Sequence, residues 1–276
     1  MEKIEKSKIN SLDFDNWKDY VGDLTTNARW ISSLNEKPLF GNWLIPKRKN
    51  LPKIPDDVKS HHGIWISEIP YQTIMRFTKE NDLVWSIFGG TGIDYDIATF
   101  LNRRCIINDL FPKRDFIIEA DSSNFKLNEK AKLVLAHPPY WDMVHYTEDE
   151  NDGSNQKSLL DFIRWWEKIV LNVNESIDDN GHLILACGNM YKNSEEICLG
   201  EILKNICLAN GYILKQHIIK DYGETKGSEA KNYNVNYYRQ LKGGYGNFYG
   251  DNVFILKRAK SKNNIKEAYE YIFRKE

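Results

Sequence analysis

Two short stretches hold residue types that could do chemistry. In Ala136-His137-Pro138-Pro139-Tyr140-Trp141 an apolar run, KLVLA, stops in a double proline and two aromatics. Prolines fix φ and carry no N–H, so this exit is a rigid ledge with an imidazole, bare carbonyls and rings for stacking. The second stretch, Phe88-Gly89-Gly90-Thr91-Gly92, follows the apolar run LVWSIF. Glycines there let a backbone approach a ligand at the carboxyl end of a first strand, where open α/β sheets bind. Tyr95 stands where a dinucleotide fingerprint needs its third glycine, and no Gly-Lys-Ser/Thr follows, so the loop is neither that fingerprint nor a P-loop. Asp109 closes the next apolar run, placed to accept ribose hydroxyls, and Asp121 ends another, placed to reach an adenine amine. A glycine loop with two acids on successive strand ends suggests an adenosine-type ligand without a phosphate requirement, and S-adenosylmethionine fits that description.

These groups need a sheet to position them. Apolar runs at 83–88, 104–109, 115–121, 131–136, 181–189, 212–222 and 252–258 read as strands. Between them 68–78, 93–102, 158–177 and 196–210 read as helices, and the apolar spacing of 158–177 is clearly helical. Strands alternating with helices predict an α/β fold with a mostly parallel sheet covered on both faces. One domain is expected over 61–260, with a partly extended, basic arm over 1–60 and a basic helix over 261–276.

The 276 residues carry a net charge of −1, so no global field attracts nucleic acid and any such contact must be local. Lys47, Arg48 and Lys49 form one basic stretch. The segment 223–250, with Tyr237, Tyr238, Arg239 and Lys242, is suited to contact with a base or backbone, or to a lid. The acidic 147–156 reads as a mobile loop. Cys105, Cys187, Cys198 and Cys207 form no metal-binding spacing and read as reduced thiols of a cytoplasmic protein. No run approaches the length of a membrane span.

The ledge AHPPYW resembles the catalytic motif of the S-adenosylmethionine-dependent DNA amino-methyltransferases, in which Asp, Asn, Ser or His precedes Pro-Pro and an aromatic. VWSIFGGTG resembles that family's LDPFxGSG loop, with Ser86 where the family usually has Asp. CIINDLFP resembles its ribose-binding strand end and adds Leu110 to the cofactor set. HHGIWISEIP and 236–258 resemble further family segments, so the likeness covers most of 60–258. The resemblance implies a Rossmann-like class I methyltransferase fold, a seven-stranded mostly parallel sheet with an antiparallel last strand.

It also implies methyl transfer to a base amine, adenine N6 slightly ahead of cytosine N4, on double-stranded DNA. In the family the first motif residue and the following proline carbonyl accept the amine's hydrogens; here these are His137 and Pro138, with Pro139 stiffening the ledge. Tyr140 would stack on a flipped base and Trp141 extend the platform. A neutral imidazole has one acceptor nitrogen, so the rate should rise through about pH 6–7. Specificity would come from 223–250, the arm, a second copy or a separate specificity or restriction partner. An RNA amino-methyltransferase and a silent DNA-binding subunit are the alternatives.

Overall fold

The computed structural model describes residues 29–30, 51–58, 67–221 and 250–259. The proposed contacts Lys47, Arg48, Lys49, Tyr237, Tyr238, Arg239 and Lys242, and the helix expected over 261–276, lie outside the described residues.

The strands are β1 (Arg29–Trp30), β2 (Leu83–Ser86), β3 (Arg104–Asp109), β4 (Ile118–Glu119), β5 (Ala131–Ala136), β6 (Ile177–Cys187), β7 (Met190–Lys192), β8 (Glu195–Ile197), β9 (Tyr212–Asp221) and β10 (Gly250–Arg258). The helices are α1 (Glu68–Phe77), α2 (Ile93–Phe100), α3 (Leu159–Ser176) and α4 (Leu199–Ala209). Eight strands form one sheet in the order β1-β9-β10-β6-β5-β2-β3-β4. All neighbours are parallel except β10, which runs antiparallel between β6 and β9. This is the Rossmann-like class I methyltransferase arrangement, with the last strand reversed. The two-residue β1 is an addition to the seven strands expected.

One buried cluster, including Trp85, Phe162, Trp166 and Phe254, fills one face of the sheet beneath α3 and α4. A second, including Ile69, Tyr71, Ile74, Ile97 and Ile184, fills the other beneath α1 and α2. Burial on both faces explains why the central strands are apolar at successive positions rather than alternating.

The expected boundaries change most at three elements. Only Ile118–Glu119 of 115–121 enters the ladder. Phe116 is taken up instead by stacking on Tyr95 at 4.3 Å and lying under the Arg114 guanidinium, at 4.2 Å. The helix expected from 196 begins at Leu199, because Asn193 and Ser194 at φ 50° and 69° turn the chain into the β7–β8 hairpin. Strand β6 begins at Ile177, directly after α3, and its register with β5 shifts between Ala131 and Leu133.

Far from the carboxyl end of the sheet, His182 stacks on Phe77 at 4.3 Å. Burial, and then Lys257, Lys132 and Lys215, lower its pKa from 6.5 to about 4. The folded state therefore holds this imidazole neutral while the unfolded chain protonates it below about pH 6.5. His182 costs nothing above pH 6.5 and removes stability progressively down to about pH 4. Partial exposure limits the loss to roughly 2 kcal/mol. Urea denaturation of the protein and of His182→Leu at pH 7, 5.5 and 4.5 should show the two curves diverging at low pH; parallel curves would refute it.

Candidate active site

The chain leaves β2 with the Ile87 N–H on the Leu135 carbonyl (3.0 Å) and turns through the glycine loop. The Gly89 N–H donates to the Asn108 carbonyl at 2.9 Å. A β-carbon at Gly89 would lie 3.0 Å from both Ile107 and Ile117, so a larger residue there would have to push aside the packing against β3 and its following loop. Gly92, at φ 76°, opens α2, and Phe116 would stand 2.8 Å from a β-carbon on it. It serves the turn and does not line the cavity described below.

Asp109 clamps this loop to its own strand end. Its Oδ2 accepts the Gly90 N–H and its Oδ1 the Phe111 N–H, both at 2.8 Å. Asp121 accepts the Ser123 N–H (2.7 Å) and hydroxyl (2.6 Å). Beneath them a buried network joins the strand tips. Trp85 Nε1 donates to Asn108 Oδ1 (2.8 Å), Asn108 Nδ2 to Ser122 Oγ (2.9 Å), and Ser122 Oγ to the Ile87 carbonyl. Asn172 on α3 donates to the Ser122 and Phe125 carbonyls at 2.9 and 2.8 Å. Such a network makes the position of each strand end depend on its neighbours.

Ser86 donates to Asp94 Oδ2 at 2.7 Å, and both residues are buried. The carboxylate at this corner sits on the first turn of α2, where the helix dipole favours it. A second carboxylate at 86 would repel it, which gives serine a physical reason at that position.

Beyond β5 the ledge turns sharply. Trp141 has φ 48°, rare for a bulky residue, and opens a 3₁₀ turn to Met143. His137 Nε2 and the Tyr140 hydroxyl are 3.1 Å apart, their rings edge to face. Trp141 is not the extended platform expected. It is 6% exposed, donates Nε1 to the Gln156 carbonyl (2.9 Å) and lies under the Lys192 ammonium at 4.0 Å.

The acidic segment after the ledge is packed in place, contrary to the mobile loop expected. Thr147 Oγ1 donates to Asp152 Oδ2 (2.9 Å), Asn155 Nδ2 to the Thr147 and Asp149 carbonyls (2.8 and 2.7 Å), and Trp165 Nε1 to the Asn151 carbonyl (2.8 Å). Gly153 lies so close to Trp165 that a β-carbon would be 2.6 Å from the ring. Burial, with Asp152 and Asp109 nearby, pushes the Tyr146 phenol up to about 12, so it stays protonated at neutral pH.

These elements enclose one cavity of about 400 Å³. Phe88, Gly89, Gly90, Thr91, Asp109, Leu110, Asp121, His137, Pro138, Pro139 and Tyr140 all line it. Met143, Tyr146, Asp152 and Gly153 cover it, and Lys220 and Asp251 form its far wall. The last two are sequence-distant and were not anticipated. Lys220 is the penultimate residue of β9 and Asp251 the second of β10, and antiparallel pairing sets them opposite each other. The lining carries four carboxylates, at 109, 121, 152 and 251, against two ammonium groups, at 113 and 220. It therefore favours a cationic guest.

No family model matches the chain, and no curated protein matches it significantly. Solved structures with a similar chain path include TrmN from Thermus thermophilus, at TM-score 0.46 and 13% identity over 80% of this chain. The chain spans 55% of the length of TrmN. The N-methyltransferase NodS from Bradyrhizobium japonicum WM9, in complex with S-adenosyl-L-homocysteine, gives 0.40 and 11% over 76% of this chain and 94% of NodS. The 1,6-didemethyltoxoflavin-N1-methyltransferase of Burkholderia thailandensis, with S-adenosylhomocysteine bound, gives 0.43 and 6% over 66% of this chain and 72% of that one.

Proposed function

We propose that this chain is an S-adenosylmethionine-dependent methyltransferase that modifies an exocyclic amine of a DNA base. One observation carries the reading. A single cavity is lined by the glycine loop, by Asp109 and Asp121 on successive strand ends, and by the ledge His137-Pro138-Pro139-Tyr140.

The residues fit the cofactor. A carboxylate has about four lone-pair sites, and the two backbone N–H bonds at Asp109 leave it capacity for ribose hydroxyls. Asp121 would reach the adenine end, with Phe88 and Leu110 as apolar wall, and the acidic lining favours a sulfonium. When bound, S-adenosylmethionine supplies an electrophilic methyl group.

The chain's own work is to hold the amine. An exocyclic amine is conjugated with its ring and nucleophilic only when its hydrogens are drawn toward acceptors. The Pro138 carbonyl is one such acceptor, with no competing N–H from either proline. His137 is the other in one tautomer: Nε2–H donating to Tyr140 leaves Nδ1 as acceptor. Tyr140 supplies the stacking face for a base swung out of the duplex. Adenine N6 is favoured slightly over cytosine N4.

Tritiated methyl transfer to duplex DNA and to RNA, followed by nucleoside mass spectrometry, tests this. Labelled N6-methyladenine or N4-methylcytosine from DNA is expected. Label in RNA alone would move the substrate class, and calorimetry showing no S-adenosylmethionine binding would leave a silent subunit.

A further inference from the structure

The wall opposite the glycine loop holds a second recognition device. Lys220 and Asp251 pair at 2.6 Å, with side chains 12% and 6% exposed, and both line the cavity. Ion pairs this enclosed cost desolvation and are poor devices for stability alone.

Their position follows from the sheet order. β2, β3 and β4 deliver the glycine loop, Asp109 and Asp121 to one half of the cavity. β5, β6, β10 and β9 lie on the other side and deliver the ledge, Gly188, Asp251 and Lys220 in that order. Gly188 joins the ledge to the pair: a β-carbon there would lie 2.7 Å from Asp251 Oδ1 and 2.8 Å from the Tyr140 ring. One Asp251 oxygen and the Tyr140 ring thus both stand beside Gly188, and the other Asp251 oxygen accepts from Lys220. The carboxylate is the more enclosed partner and acts as holder; Lys220 lines the same cavity as the stacking ring of Tyr140.

Resting on the reading above, we propose that Lys220, positioned by Asp251, is a specificity-determining residue that donates to the ring nitrogen beside the target amine. In adenine and cytosine the ring atom next to the amine, N1 or N3, is an acceptor, so an amine held by the ledge presents an acceptor beside it. On the Watson–Crick side of its amine guanine presents an N–H, which an ammonium rejects, and its only ring acceptor beside the amine lies on the opposite side. The pair reads the Watson–Crick edge of a base that has already left its partner, independently of any flanking sequence.

The test uses the full chain, with S-adenosylhomocysteine present and free nucleosides titrated by NMR. The protein should bind 2′-deoxyadenosine or 2′-deoxycytidine about 10- to 100-fold more tightly than its 1-deaza or 3-deaza analogue, in which C–H replaces the ring nitrogen. Lys220→Met should bind parent and analogue alike, at the analogue's affinity, with S-adenosylhomocysteine affinity within about twofold of the parent protein. Because Lys220→Met alone strands a buried carboxylate, the double variant Lys220→Met/Asp251→Asn carries the same expectation with both charges removed.

Equal binding of parent and deaza nucleosides by a protein that methylates DNA would overturn the role of Lys220 and leave the methyltransferase reading intact. Discrimination surviving in Lys220→Met, or a preference for 2′-deoxyguanosine, would also overturn it. Loss of S-adenosylhomocysteine binding in a folded variant would assign the pair to the cofactor half instead. A chain that transfers no methyl group to nucleic acid and binds no nucleoside would remove both.

Discussion

Asp109→Ala should weaken S-adenosylhomocysteine binding by roughly 30- to 1000-fold, corresponding to about 2–4 kcal/mol. Two effects add. The carboxylate accepts the Gly90 and Phe111 N–H groups at 2.8 Å each, and charge-assisted bonds of this kind are stronger than neutral ones. Their loss frees the glycine loop from β3. Alanine also removes the acceptors expected for the ribose. Asp109→Asn separates these effects, because its amide keeps one oxygen for one N–H and turns a donor toward the other. Its affinity should fall between the two proteins. Calorimetry measures the affinity, and a thermal melt of each variant checks that the fold persists. An affinity within threefold of the parent protein would show that Asp109 faces no ligand.

Much of this architecture was legible because local pattern and tertiary role agree. RCIIND and AKLVLA form strands over the expected residues, since strands buried on both faces need continuous apolar runs and polar tips end them. α3 follows its helical spacing closely, with Ser158 capping the Asp161 N–H at 3.1 Å. The failures occur where a distant partner decides. Phe116 has strand propensity, but Tyr95, Arg114 and the absent side chain of Gly92 offer it a niche outside the ladder. Trp141 follows the ledge directly, and its direction is set by a positive φ and by the Gln156 carbonyl fifteen residues on. The acidic cover looked solvated because its carboxylates serve turns: Asp149 and Asp152 accept backbone N–H groups two residues ahead. Lys220 and Asp251 meet only through the β9–β10 register, which no local pattern announces.

The ledge leads to the other large effect. Tyr140→Ala should reduce methyl transfer, measured as kcat/KM, by about 100- to 1000-fold while S-adenosylhomocysteine affinity stays within about twofold. Stacking on an aromatic contributes about 1–3 kcal/mol per base, and a base that tilts loses the alignment of its amine as well. The cofactor half should be little affected, because Tyr140 stands beside His137 and Gly188 on the ledge side of the cavity. Tyr140→Phe keeps the ring and deletes the hydroxyl 3.1 Å from His137 Nε2, so it isolates the second role. Without that partner the imidazole loses the bond that selects its tautomer, and about 3- to 10-fold of the rate should go with it. Gly188→Ala attacks the same ring from behind, since its β-carbon would stand 2.8 Å from Tyr140 Cε2, and should act in the direction of Tyr140→Ala. If Tyr140→Phe proves as inactive as Tyr140→Ala, the hydroxyl rather than the stacking face carries the effect, and the ledge works chiefly by orienting His137.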